Sequence, residues 1–101
     1  MTEDDFLKTV IDLAHLTGWK CFHARPAMTS KGWRTPVQAD GAGFPDLVLV
    51  RERVIFAELK SEKGKLSDSQ IKWLDSLERA GQEFYTWRPS LWEQIVDVLK
   101  R

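Results

Sequence analysis

Cysteine is nearly missing from this chain: Cys21 is the only one in 101 residues. A disulfide framework and a cysteine-rich metal site are both excluded by that count. Long apolar runs are missing as well, and none approaches the ~20 residues of a membrane-spanning helix. The N-terminus opens on acids, Glu3, Asp4 and Asp5, where a signal peptide would carry basic and then apolar residues. The default expectation is a cytoplasmic protein with no membrane partner. Net charge is absent too, with 15 Lys and Arg against 15 Asp and Glu. That balance argues against a general electrostatic clamp on nucleic acid. Repeats and low-complexity tracts do not occur.

What is present suits one small core. An apolar content of 43%, with five tryptophans, can fill a single domain spanning residues 1–101. The charges are unevenly spread. From Lys20 to Lys65 there are nine Lys or Arg and five Asp or Glu, whereas the remainder carries six bases and ten acids. A basic band between acidic outer segments is enough to hold a phosphate backbone.

The chain is organised around Gly43 to Lys60, GFPDLVLVRERVIFAELK. Two short apolar runs, Leu47–Val50 behind Asp46 and Val54–Ala57 before Glu58, read as strands covered on both faces. Arg51, Glu52 and Arg53 form the polar turn between them. Strand alternation puts Glu58 and Lys60 on one face with Leu59 turned away. A hairpin would therefore bring Asp46 close to Glu58 and Lys60, at one end of a small sheet. Two carboxylates on rigid neighbouring strands make a hard-oxygen site for Mg²⁺ or Mn²⁺, and a lysine beside them can orient water or offset charge on a phosphate. Strands that end in Glu-x-Lys are common, and a solvated strand end with a surface ion pair is the more ordinary reading of the same spacing, so the residue pattern alone is weak evidence for a metal site.

The flanking segments supply the rest of an α/β fold. Thr2 is an N-cap with Asp5 at the third helical position, and Met1 and Phe6 are placed for a hydrophobic staple. Phe6, Val10, Leu13, Ala14 and Thr17 share a helix face that Gly18 ends. Glu3 either reaches the strand-end carboxylates from this helix or, with Asp4, complements the helix dipole. Trp19–Ala24 reads as the first strand, with Cys21 as plain core and His23 at the end nearest the long loop, where it is structural or touches phosphate. After Lys60 comes a polar connection containing Lys63 and Lys65. Ser67 and Gln70 then form a capping box with Leu66 and Ile71 as its staple, and Ile71, Leu74 and Leu77 make the buried stripe of a second helix. Glu83–Trp87 is a strand. Ser90 and Glu93 form a further capping box for a last helix whose face is Leu91, Ile95, Val98 and Leu99. The order helix, three strands, helix, strand, helix gives a mixed sheet flanked by helices.

Residues Ala24 to Gly43 form a long connection containing Arg25, Lys31, Trp33 and Arg34. A connection of this length inside a compact domain is functional or disordered. Basic residues around Trp33 suit contact with a nucleic-acid strand, the ring stacking on a base. A small hairpin with Trp33 tucked on the core explains the same residues.

At these positions the sequence resembles the VRR-NUC branch of the PD-(D/E)xK nuclease superfamily. The resemblance rests on Pro45-Asp46 with Glu58-Leu59-Lys60, on Ser67-Asp68-Ser69-Gln70 before a helix, on Thr2-Glu3 and Gly18-Trp19, and on Tyr85-Thr86-Trp87-Arg88-Pro89. It covers almost the whole chain in order, and departs from the family in the longer segment Ala24–Ala42. It implies a single restriction-endonuclease-like domain, like the small phage-encoded members acting in a host cytoplasm. It implies a nuclease hydrolysing DNA phosphodiesters with Mg²⁺ or Mn²⁺. Asp46, Glu58, the Leu59 carbonyl and Glu3 would hold the metal, Lys60 and Gln70 would serve catalysis, and His23, Lys31, Trp33, Arg34, Lys63 and Lys65 would meet nucleic acid. A homodimer acting on branched DNA such as four-way junctions is the implied assembly and substrate. A catalytically silent nucleic-acid-binding module and an interaction protein of the same fold are the competing classes. Neither needs an intact set of Asp46, Glu58 and Lys60.

Overall fold

The computed structural model describes residues 1–23 and 39–101 in full and, between them, the backbone of residues 27–29 and 32–34. Helix α1 (Glu3–Leu16) leads into strand β1 (Lys20–His23), the short strands β2 (Ala27–Thr29) and β3 (Gly32–Arg34), and the central strands β4 (Leu47–Val50) and β5 (Val54–Leu59). Helix α2 (Asp68–Arg79), strand β6 (Glu83–Trp87), a 3-10 turn (Pro89–Leu91) and helix α3 (Trp92–Lys100) complete the chain. Four strands form one sheet in the order β1-β4-β5-β6. The first two pairings are antiparallel and β5 with β6 is parallel. The α/β class and the mixed sheet flanked by helices are as expected. Among the described residues the two extra strands pair only with each other, antiparallel, Met28 opposite Trp33. They turn part of the long 24–43 segment into a hairpin.

Alternation along the strands sorts side chains between two layers. Leu47, Leu49, Ile55, Ala57, Leu59 and Trp87 face α1 and α3, where Phe6, Val10, Ala14, Trp19, Ile95, Val98 and Leu99 complete one buried core. Each large side chain fully buried here contributes about 1.5–3 kcal/mol. On the opposite face, α2 covers the sheet through Phe44, whose ring meets Phe56 and Trp73 edge-on at 6.0 and 5.1 Å. Cover on this side is incomplete. Phe22 stays 60% exposed, and Val50 and Val54 are also open to solvent. The strands expected to be covered on both faces are therefore fully covered on one.

Local signals hold where nothing distant competes. The capping boxes Thr2/Asp5 and Ser67/Gln70 both form. The two staples fare less well, since Met1 is exposed and Ile71, expected in the buried stripe of α2, is 50% exposed while Leu74 and Leu77 are buried. The Ser90/Glu93 box does not form. Helix α3 starts without a side-chain cap after the 3-10 turn, because the Ser90 N–H donates to the Glu62 carboxylate from another loop. The charged turn Arg51–Arg53 is a tether. Both guanidinium groups sit over the Trp19 ring, 4.5 and 4.9 Å from its centre. They donate to carbonyls at the end of α3, Arg51 to Leu99 at 3.1 Å and Arg53 to Val98 at 3.0 Å, which satisfies acceptors a helix end leaves open. Among the described residues no helix is long and apolar enough to cross a membrane.

Candidate active site

The ladder between β4 and β5 ends with Leu47 opposite Ala57. One step further, Asp46 and Glu58 face each other on the α2 side of the sheet, as directly opposed residues share a face. Asp46 lies just outside β4, and its Oδ2 accepts the Leu59 N–H at 2.8 Å. The amide and carbonyl of one strand residue point to the same edge, so the Leu59 carbonyl also faces Asp46. The next amide points the other way, Lys60 N–H donating to the Trp87 carbonyl in β6 at 2.9 Å. Two carboxylates and one carbonyl therefore converge at the sheet end.

Glu58 is the electrostatic centre of this group. It is 2% exposed, the one charged residue in the buried set. Burial, a hydrogen bond to Asp46 and the Asp46 charge push its carboxyl up to about 9. The Lys60 ammonium pulls the other way, and the Glu3 charge adds a smaller upward push. A buried carboxyl pushed up beside a second, half-buried carboxylate marks a site short of positive charge. Hard oxygen donors in that state fit Mg²⁺ or Mn²⁺. Among the described residues no group of three or more His, Cys, Asp or Glu side chains gathers closely enough to hold a metal. The donors on hand are thus Asp46, Glu58 and the Leu59 carbonyl, with Glu3 acting from a distance at the exposed start of α1.

The segments flanking these residues are fixed from outside. The Trp73 indole N–H donates to the Asp40 and Ala42 carbonyls at 2.9 and 3.1 Å. Gly43 has φ +83°, and a Cβ there would lie 2.5 Å from the Ser69 carbonyl carbon, so only glycine lets this loop rest on α2. Pro45 and Asp46 follow directly. Neither Trp73 nor Gly43 was marked as a site residue by the sequence. Across the sheet end, the His23 ring meets the Asp46 carbonyl through Nδ1 at 3.0 Å and ties β1 to the site.

The other predicted residues fall into distinct places. Gln70 is used by its cap, its Oε1 accepting the Ser67 N–H at 2.8 Å while its own N–H reaches Ser67 Oγ at 3.2 Å. Among the described residues no hydrogen bond joins it to Asp46, Glu58 or Lys60. Lys63 and Lys65 are exposed on the connection after Lys60. Trp33 and Arg34 belong to β3, with their side chains outside the described residues, and Lys31 lies outside them altogether. The paired strands β2 and β3 are inserted in the chain between His23 and Asp40. A cleft of about 430 Å³, lined by Glu3, Phe6, Ser61, Lys63 and Pro89 among others, separates the start of α1 from the loop after Lys60.

No curated protein and no solved structure gives a significant match to the chain. The family model of the VRR-NUC domain matches residues 13–89. That span includes Asp46, Glu58, Lys60, Gln70 and Arg88, and leaves Glu3 outside. It covers well over half of the chain and implies a nuclease-type function. With the carboxylate pair and lysine at the end of its mixed sheet, the chain belongs to the VRR-NUC family.

Proposed function

We propose that this protein is a divalent-metal-dependent DNA endonuclease acting on branched DNA such as four-way junctions, as a homodimer. The observation that carries the reading is the buried Glu58 carboxyl, pushed up to about 9, facing Asp46 and close to Lys60 at a sheet end. Asp46, Glu58 and the Leu59 carbonyl would hold Mg²⁺ or Mn²⁺, with Glu3 as an outer acid. The ion would polarise the scissile phosphate and acidify a water. Glu58 would serve as a ligand in its deprotonated form. Lys60 orients the attacking water or offsets charge building on the phosphate, aided by the low local dielectric around Glu58. Gln70 belongs to the same machinery only through the α2 start that it caps.

Substrate binding falls to residues around this end. Lys63 and Lys65 stand next to the site on an exposed loop, and His23 lies at the β1 end. Lys31, Trp33 and Arg34, on the chain between His23 and Asp40, would add phosphate and stacking contacts. Support for a dimer comes from the half-covered sheet face, with Phe22, Val50, Val54 and Ile71 open to solvent, and from the small surface one 101-residue subunit offers a branched substrate. The deciding experiment is cleavage of linear, flapped and four-way-junction DNA with Mg²⁺, Mn²⁺ or EDTA. Metal-dependent cutting that favours the junction supports the proposal. Salt-dependent binding without cutting in any metal would instead mark a silent binding module.

A further inference from the structure

The connection after Lys60 has no core of its own. Ser61, Glu62, Lys63 and Lys65 are all exposed. Three of its carbonyls nevertheless converge on one side chain. Arg88 Nη1 lies 2.5 Å from the Ser61 oxygen, 2.7 Å from that of Gly64 and 3.3 Å from that of Glu62. Arg88 directly follows Trp87, the residue whose carbonyl takes the Lys60 N–H. Backbone and turn on either side of the Lys60 stem are therefore pinned by consecutive residues. The turn is also closed on itself by the Gly64 N–H on the Ser61 carbonyl at 3.2 Å, and tied to the start of the 3-10 turn by Glu62 on Ser90.

This packing reaches the lysine. A Cβ built on Gly64 would lie 3.4 Å from Lys60 Cδ and 3.0 Å from Ser61 Oγ. The 61–64 turn therefore runs alongside the flexible four-carbon stem, one carbon's width away at Gly64, and limits a freedom that would otherwise spread the ammonium over many positions.

We propose that Arg88 is a positioning residue for the cleavage reaction: by gathering the carbonyls of residues 61–64 it holds Gly64 against the Lys60 stem and keeps the ammonium at the Asp46–Glu58 end of the sheet. The inference rests on the reading of Lys60 as a working group of the site. A guanidinium suits the task because it is permanently charged and planar: the two N–H bonds of Nη1 diverge in a fixed plane and serve the close Ser61 and Gly64 carbonyls, with that of Glu62 at the margin. Lysine at position 88 brings an ammonium on a flexible stem, without the rigid planar group that fixes those two directions. With Arg88 removed, the carbonyls turn to water and the turn opens. Lys60 keeps its charge and loses its aim. Small misplacements of a reacting group are costly in rate.

The test is a mutant cycle with an independent spectroscopic arm. Arg88→Ala should lower the single-turnover cleavage rate about tenfold to a hundredfold, with Mn²⁺ affinity and DNA affinity unchanged, and Arg88→Lys should recover only part of that loss. In a Lys60→Ala background, Arg88→Ala should cost nothing more, because both changes remove the same contribution. Separately, ¹³C-methylated lysines report Lys60 directly, and its resonance should shift and narrow in Arg88→Ala. If the alanine variant does not fold, the cycle is run with Arg88→Lys. Equal rate losses in both backgrounds, or a Lys60 resonance that stays in place, would overturn the proposal. If wild-type protein cuts no DNA with any metal, the endonuclease reading fails, and the spectroscopic arm alone decides whether Arg88 positions Lys60.

Discussion

Asp46 Oδ2 takes the Leu59 N–H at 2.8 Å, one step beyond the last ladder pair of β4 and β5. The carboxylate therefore finishes the sheet and faces Glu58 at once. Asp46→Asn keeps an oxygen for the Leu59 amide and removes the charge, so the fold should survive while cleavage disappears and Mn²⁺ binding weakens in calorimetry. Asp46→Ala also leaves a strand-end donor unpaired, which costs about 1–3 kcal/mol and should lower the melting temperature below that of the Asn variant. An Asn variant that cuts like wild type would place the reaction elsewhere.

Glu58 makes stability depend on pH. Its carboxyl is pushed up to about 9 by burial and by Asp46, whereas in the unfolded chain it titrates near 4.5. Between those values the folded state binds a proton that the unfolded state does not. Stability in the absence of metal should then be highest below about 4.5 as far as this group is concerned, and fall as pH rises towards 9. Glu58→Gln mimics the protonated form, so the difference between variant and wild type should grow across that window in favour of the variant. Urea denaturation in EDTA from pH 5 to pH 9 measures it. Parallel curves for the two proteins would mean that Glu58 is ordinary. Mn²⁺ should oppose the wild-type trend by displacing the proton, giving a larger thermal shift at pH 8 than at pH 6.

Lys60→Ala separates chemistry from metal binding. A cation beside two anions is removed, so Mn²⁺ affinity above the titration range of Glu58 should hold or rise. Cleavage should fall by roughly 10²–10⁴. Calorimetric titration and junction cleavage on the same preparation give both numbers. Parallel loss of both would make Lys60 a fold residue.

Replacing Lys31 and Arg34 with alanine should weaken DNA binding and flatten its salt dependence, by roughly 0.9 in the log–log slope for each lost phosphate contact. The rate at saturating DNA should not change. Fluorescence anisotropy across a salt series reads the slope, and an unchanged slope would return the hairpin to a structural role.

Light scattering at micromolar concentration should give twice the chain mass, and Phe22→Glu should shift the protein towards monomer. A wild-type monomer at every concentration tested would sink the dimer.

How much of this could be read from the sequence depended on the distance over which each residue acts. Asp46, Glu58 and Lys60 were legible together because strand alternation and one tight turn are local rules, and together they bring positions 46 and 58 opposite each other. Glu83–Trp87 and the caps at Thr2 and Ser67 were legible for the same reason. Ser90 and Glu93 carried an equally good local pattern that failed, because a carboxylate from the 61–65 connection claimed the Ser90 amide first. Ile71 had the right period for burial, but the sheet face it approaches is left half open. Arg51, Arg53, Trp73 and Arg88 act on carbonyls far away in the chain, and no periodicity encodes such partners. The family likeness pointed to the segment holding Arg88 without indicating what the side chain grips.

Gly43 rests on Ser69, and Trp73 holds the two carbonyls before it, so the approach to Asp46 is shaped by a helix still unmade when Asp46 is synthesised. Lys60 likewise waits for strand β6. A polypeptide stopped during translation soon after Lys60 would carry every acid of the site and still lack the helix and strand that aim them. Fragments that end before β6 should therefore be inert towards DNA, and any cutting ability would arrive only once that strand is in place.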